Sequence, residues 1–169
     1  IRVLIVDDVA EIRENLRKLL SFDPDIEVVG AAASGPEGIQ LAEQLHPDII
    51  LMDVNFGPGE MDGIEATEVI LREVPTAQVI MLTVQDDTEY MRRAMLAGAR
   101  DYLTKPYSSD ELINTVRRVY ERGKAQAAML APAQPAVPGV APGEMVPGRR
   151  RGHVFAIFSP KAGAGCTTI

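Results

Sequence analysis

The chain has 169 residues, 46% of them apolar, and a formal charge of −7, which allows one domain with a real core plus part of another. A single cysteine, Cys166, excludes an internal disulfide and points to a reducing cytoplasm. No apolar run approaches the ~20 residues that span a bilayer, and the opening has no signal-peptide pattern. Residues 1–123 carry 12 Lys and Arg against 23 Asp and Glu, and residues 124–169 carry 5 against 1. The acidic first part argues against nucleic-acid binding there, because affinity for the phosphate backbone comes from cationic neutralisation.

Strand-like and helix-like segments alternate up to residue 123, the pattern of a parallel α/β sheet. Residues 2–6 form the first expected strand. Ile12, Leu16, Leu19 and Leu20 then fall at i, i+4, i+7 and i+8, the apolar face of a helix. A second strand is expected near 27–32. A helix follows from near Pro36, a good first-turn residue, to Leu45, where Pro47 stops it. The run Asp48-Ile49-Ile50-Leu51-Met52-Asp53 reads as a buried third strand. The third helix starts near Gly63 and ends before Pro75. The fourth strand ends at Thr83, and the fourth helix covers roughly residues 87–97 with Gly98 as its stop. The fifth strand is expected at 100–103. The fifth helix follows a Ser108-Ser109-Asp110 cap and turns Leu112, Val116, Val119 and Tyr120 inward.

The remainder differs in kind. Pro132, Pro135, Pro138, Pro142 and Pro147 alternate with Ala, Val and Gly, so residues 124–152 read as a semi-extended linker, with Arg149-Arg150-Arg151 as its solvated end. Residues 153–169 read as a new buried strand running into a Gly-rich turn.

In an open parallel sheet, ligands bind outside the carboxyl ends of the strands. Those ends here carry Asp7 and Asp8, Asp53, Thr83 and Lys105. Three carboxylates, a hydroxyl and an ammonium at one crevice describe a divalent-cation and phosphoryl site. Mg²⁺ takes oxygen ligands and usually keeps waters. Asp8 and Asp53 are its natural direct ligands, Asp7 acts through a water, and the carbonyl of Asn55 supplies a further oxygen. Asp53 is the nucleophile. The transferring group spreads charge over its equatorial oxygens. Lys105 suits one of these as a point charge and Thr83 another as a donor. Lys105-Pro106 is a candidate cis peptide only because X–Pro bonds adopt cis more readily than others.

Taken in order, Val6-Asp7-Asp8, Asp53, Met61-Asp62-Gly63, Thr83 and Asp101-Tyr102-Leu103-Thr104-Lys105-Pro106 resemble the receiver domain of two-component response regulators over about residues 1–123. The resemblance implies a flavodoxin-like (βα)5 doubly wound sheet with strand order 2-1-3-4-5. It also implies Mg²⁺-dependent phosphorylation of Asp53 by a histidine kinase or phosphotransfer protein. A switch is implied too, in which Thr83 moves toward the phosphate, Tyr102 turns inward, and the face of helix four, strand five and helix five changes partners, a homodimer included. Such a domain is a switch and not an enzyme. Two departures stand out. The loop Phe56-Gly57-Pro58-Gly59-Glu60 is longer than usual for the family. Val84 follows Thr83 where the family often has Ala or Gly, and a bulkier neighbour slows entry of small phosphodonors.

Residues 154–169 resemble the start of a MinD/ParA-type ATPase. Lys161, Gly163, Gly165, Thr167 and Thr168 match its deviant P-loop, whereas Cys166 replaces the lysine that would contact the β- and γ-phosphates. A receiver, a Pro-rich linker and an atypical MinD-like module together resemble the CpaE/TadZ proteins of Flp pilus assembly. Two other readings compete. One is a pseudoreceiver acting as a constitutive docking or dimerisation module, against which the intact Asp53, Thr83 and Lys105 argue. The other is a haloacid-dehalogenase-type phosphatase, which wants an acidic residue two positions after its nucleophile, where Asn55 stands. A DNA-binding output is not expected, since no helix-turn-helix pattern follows the linker.

Overall fold

The computed structural model describes residues 1–57, 61–84 and 88–130. Residues 124–130, expected to open the linker, instead continue the fifth helix; the rest of the expected linker, the MinD-like segment with Lys161, Gly163, Gly165 and Thr167, and residues 58–60 of the long loop lie outside the described residues.

Five parallel strands and five helices alternate: β1 (Arg2–Val6), α1 (Ala10–Leu20), β2 (Glu27–Ala32), α2 (Gly35–Leu45), β3 (Ile49–Asp53), α3 (Gly63–Glu73), β4 (Gln78–Thr83), α4 (Thr88–Leu96), β5 (Asp101–Thr104) and α5 (Ser109–Leu130). The sheet order is β2-β1-β3-β4-β5, the flavodoxin-like order expected. The order reverses between β1 and β3, which places the crevice of such a sheet at their carboxyl ends.

The two-residue pleat divides the core. Val3, Ile5, Ile49, Leu51, Ile80, Leu82 and Leu103 pack with Leu16 and Leu20 of α1 and Leu112, Val116 and Val119 of α5. Leu4, Val6, Ile50, Met52, Val79 and Met81 pack on the opposite face with Ala42, Ile64, Ala66, Ile70 and Ala94 of α2, α3 and α4. Strands covered on both faces read as unbroken apolar runs, as β3 and β4 do here. Continued past the strand ends, the same parity puts Asp7, Asp53 and Lys105 on the α1/α5 side and Thr83 and Tyr102 on the α4 side.

Caps set the helix boundaries. Ser34 Oγ accepts from the Glu37 N–H at 3.4 Å while the Glu37 carboxylate accepts from the Ala33 N–H at 2.7 Å, a reciprocal arrangement close to a capping box. Asp62 Oδ1 accepts from the Glu65 N–H at 2.7 Å, and Ser108 Oγ accepts from the Glu111 N–H at 3.1 Å. α2 ends at Leu45 as expected, and His46 before Pro47 forms a left-handed cap with φ 44°, so this histidine is structural.

A second ion cluster ties α5 to the α1–β2 loop. Arg117 donates to both oxygens of buried Asp23, at 2.6 and 2.7 Å, and to Asp25 at 2.8 Å. The Arg117 hydrogen bond, with the Asp25 N–H, holds the Asp23 carboxyl below its ordinary range. A depressed carboxyl contributes stability above its unfolded pKa and loses it as pH falls through its folded pKa. Thermal unfolding of the wild type should therefore drop steeply below the ordinary aspartate range. An Arg117→Ala variant, already weaker at neutral pH, should show a flatter acid dependence across the same window.

Candidate phosphoacceptor site

β1 and β3 run in register, Val6 opposite Met52, so the next residues, Asp7 and Asp53, leave the sheet side by side. Both are buried. Lys105, just past the end of β5, bridges them: its Nζ donates to Asp7 Oδ2 at 2.9 Å and to Asp53 Oδ1 at 2.8 Å. The other Asp7 oxygen accepts from the Val9 N–H at 2.9 Å. The Lys105 N–H donates to the Thr83 carbonyl at 2.6 Å, which joins the ends of β4 and β5. The Lys105–Pro106 peptide is cis. Among the described residues, no buried side-chain polar atom lacks a partner.

Burial pushes the Asp53 carboxyl above its ordinary value. The Lys105 hydrogen bond and charge pull it down, the Asp7 charge pushes it up again, and the Asn55 N–H favours the ionised form; the net shift is upward. Burial works to lower the Lys105 ammonium, but its hydrogen bonds to Asp53 and Asp7 outweigh that and raise it. Lys105 is thus a fixed cation, and Asp53 a carboxylate less willing than usual to ionise. With Asp53 raised, folded-state stability from this group is present at low pH and is lost as pH rises through its folded pKa. Its sign is opposite to that of Asp23.

Gly63 packs tightly against the backbone of Asp53. Its N–H donates to the Val54 carbonyl at 2.9 Å, and a β-carbon there would overlap the carbonyl oxygen of Asp53 and lie 2.9 Å from its carbonyl carbon. The Met61-Asp62-Gly63 motif therefore has a geometric role: Asp62 starts α3, and Gly63 lets that start press against the Asp53 backbone.

Asp8 and Asn55 are exposed at the same crevice. Among the described residues, no three His, Cys, Asp or Glu side chains are grouped so as to enclose a metal by themselves. Mg²⁺ does not need such a cage, since one or two carboxylates, waters and phosphate oxygens complete its octahedron. Asp8 and Asp53, with the Asn55 carbonyl, fit that role. Asp7, with both oxygens already engaged, fits contact through a water. The carboxylates of Asp7 and Asp53 share the single Lys105 ammonium, and such all-oxygen donors suit a hard cation.

On the α4 side, Thr83, Val54, Met81, Tyr90, Met91 and Tyr102 line a cavity of about 10 Å³. It is too small for a ring, and Tyr102 remains 39% exposed. Thr83 and Tyr102 thus share one wall, as strand parity requires. Val84 stands 61% exposed beside Thr83. A Val84→Ala substitution should raise the rate of phosphorylation by acetyl phosphate several-fold without changing stability, as followed by intact mass against time. An unchanged rate would remove Val84 as a barrier.

Two positioning features were missed by sequence reasoning. The overlap at Gly63 depends on the three-dimensional approach of α3 to β3. The other, Arg13, donates from Nη1 to the carbonyls of Asp7 and Asp8 at 2.6 and 3.0 Å. Only its location one turn after Asp8 signalled it.

Fold and pocket together define a doubly wound α/β domain with an aspartate–lysine centre at its switch point. A family profile described as the response regulator receiver domain matches residues 3–117, and the chain belongs to that family. It is 43% identical over 117 residues to the transcriptional regulatory protein LiaR of Bacillus subtilis, covering 69% of this chain and 54% of that protein. It is 34% identical over 123 residues to the transcriptional regulatory protein DegU of Brevibacillus brevis, covering 73% of this chain and 51% of that protein. The chain thus spans about half the length of these relatives. Among solved structures, the response regulator domain of Thermotoga maritima CheB superposes with TM-score 0.65 at 34% identity, over 72% of this chain and 96% of that one. A LuxR-family response regulator from Aurantimonas gives 0.67 at 32% identity, over 72% and 85%. Among the described residues, no helix is long and apolar enough to cross a membrane.

Proposed function

We propose that this domain is a phosphoacceptor switch. Asp53 takes a phosphoryl group from a histidine kinase or phosphotransfer protein in a Mg²⁺-dependent reaction, and the α4–β5–α5 face then changes its partners. The observation that carries this reading is the Lys105 ammonium held between Asp7 and Asp53. An Asp53 oxygen attacks phosphorus in line with the leaving group, which departs with the electron pair of the breaking bond. Lys105 is placed to exchange its bond to Asp53 for one to a phosphoryl oxygen, keeping Asp7 as its anchor. Bound Mg²⁺ would supply charge neutralisation for the incoming group. Thr83, across the pleat, has the hydroxyl to follow the phosphoryl group and enlarge the small cavity into which Tyr102 could turn.

Tyr90, Met95, Leu96 and Tyr102 leave apolar surface on that face, Leu96 being 74% exposed. This suits a homodimer or a partner segment. The output we favour is control of an attached MinD-like module in Flp-type pilus assembly or polar localisation, on the strength of the deviant P-loop residues after the linker. The regulatory names of LiaR and DegU belong to proteins whose shared part with this chain is the receiver. The acidic balance of residues 1–123 argues against nucleic acid as its ligand, and the single cysteine suits a reducing cytoplasm.

Titration with beryllofluoride and Mg²⁺, followed by amide chemical shifts, tests this reading. Shifts at residues 53–55 and 83 that spread to 88–104 are expected in the wild type and not in Asp53→Asn. Absence of binding in the wild type would leave the domain as a constitutive docking module.

A further inference from the structure

We infer that Arg13 is a positioning residue for the cation site. It acts by clamping the backbone on both sides of Asp8, and this inference rests on the reading of Asp8 as a Mg²⁺ ligand. Arg13 is the fourth residue of α1, and helical side chains slope toward the N-terminus. Its Nη1 thereby reaches back over the β1–α1 turn and donates to the carbonyls of Asp7 and Asp8 at 2.6 and 3.0 Å. Those two carbonyls flank the φ and ψ of Asp8, so one guanidinium nitrogen fixes the direction in which Asp8 projects its carboxylate.

The Val9 N–H bond to Asp7 Oδ1 also spans Asp8, and Arg13 adds its two carbonyl contacts to that turn. Asp7 is held by the Val9 N–H and by Lys105. Asp8 is exposed, and among the described residues no side chain bonds its carboxylate. Its backbone sets the direction from which the carboxylate starts. The placement of Arg13 also runs against helix energetics. A cation near the start of a helix opposes the macrodipole, and α1 has no side-chain N-cap to offset it. The benefit of Arg13 therefore lies in the turn it holds rather than in the helix it belongs to.

Two effects of removing Arg13 have opposite signs. Loss of the clamp lets Asp8 wander and weakens Mg²⁺ binding, whereas loss of a nearby positive charge strengthens it. Residues that orient a metal ligand are commonly worth 10–100-fold in affinity. A charge whose hydrogen bonds go to backbone carbonyls, half-exposed to water, is well screened. The clamp should win.

The test is calorimetric titration of the full chain with MgCl₂ for wild type, Arg13→Met and Arg13→Lys, alongside thermal unfolding without Mg²⁺. Arg13→Met should bind Mg²⁺ about 10-fold more weakly or worse. Arg13→Lys, which keeps one nitrogen and the charge, should recover most of the loss, even if Arg13→Met proves unstable. Equal or tighter binding by Arg13→Met, or no recovery by a folded Arg13→Lys, would overturn the inference while leaving the metal site intact. No Mg²⁺ binding by the wild type would overturn the metal reading and the inference with it.

Discussion

Replacing Lys105 with Met should slow phosphorylation of Asp53 by acetyl phosphate on the order of 10²–10³-fold, the usual cost of removing one pre-aimed stabiliser of transition-state charge. Lys105 is 15% exposed and sits 2.8–2.9 Å from two carboxylates, so its ammonium is already where charge develops. The loss has two further readouts. Without the cation, the largest influence lowering the Asp53 carboxyl disappears while burial and the Asp7 charge remain. Asp53 then stays protonated to higher pH, and the acid limb of the pH–rate profile should move upward. Asp7, fully buried, would keep only the Val9 N–H as a partner. Breaking a buried ion pair by removing one side costs about 3–5 kcal/mol. The low end applies, because the site opens to water on the Asp8 side. Urea denaturation without Mg²⁺ should show this, and Mg²⁺ should restore part of it. A variant as active and as stable as the wild type would mean that the Lys105 bridge has no role in catalysis or folding.

The second large effect is expected at Gly63. In Gly63→Ala the new methyl group would overlap the Asp53 backbone carbonyl, with Met52 Cγ 3.2 Å away. Neither neighbour is the free end of a flexible chain, so α3 must lift away from β3. Overpacking of this kind costs about 1–3 kcal/mol, occasionally more. The shift would move the phosphoacceptor itself, and phosphorylation should fall even in the fraction that remains folded. Denaturation midpoints and acetyl phosphate rates, measured together, separate these two consequences. Retention of wild-type stability would mean that the approach of α3 to Asp53 is looser than described.

Much of this site could be read from the chain. Three apolar strands each end in a polar residue, and strand parity alone assigns Asp7, Asp53 and Lys105 to one side and Thr83 and Tyr102 to the other. The five strands and five helices follow from periodicity, and differences such as β5 covering Asp101–Thr104 rather than 100–103 are those of fraying ends. What the chain could not show depends on distant pieces meeting. Gly63 lies ten residues from Asp53, with the long loop between them, and the reach of Arg13 back to the carbonyls of Asp7 and Asp8 depends on how α1 leaves the β1–α1 turn. The Arg117–Asp23 pair spans 94 positions, and nothing in local sequence links its members.

The most direct test of the central claim is intact-protein mass after incubation with acetyl phosphate and Mg²⁺, wild type beside Asp53→Asn. One phosphoryl group added to the wild type alone is the expected result. An unmodified wild type, or a variant modified as readily as the wild type, would contradict the assignment of Asp53 as the phosphoacceptor.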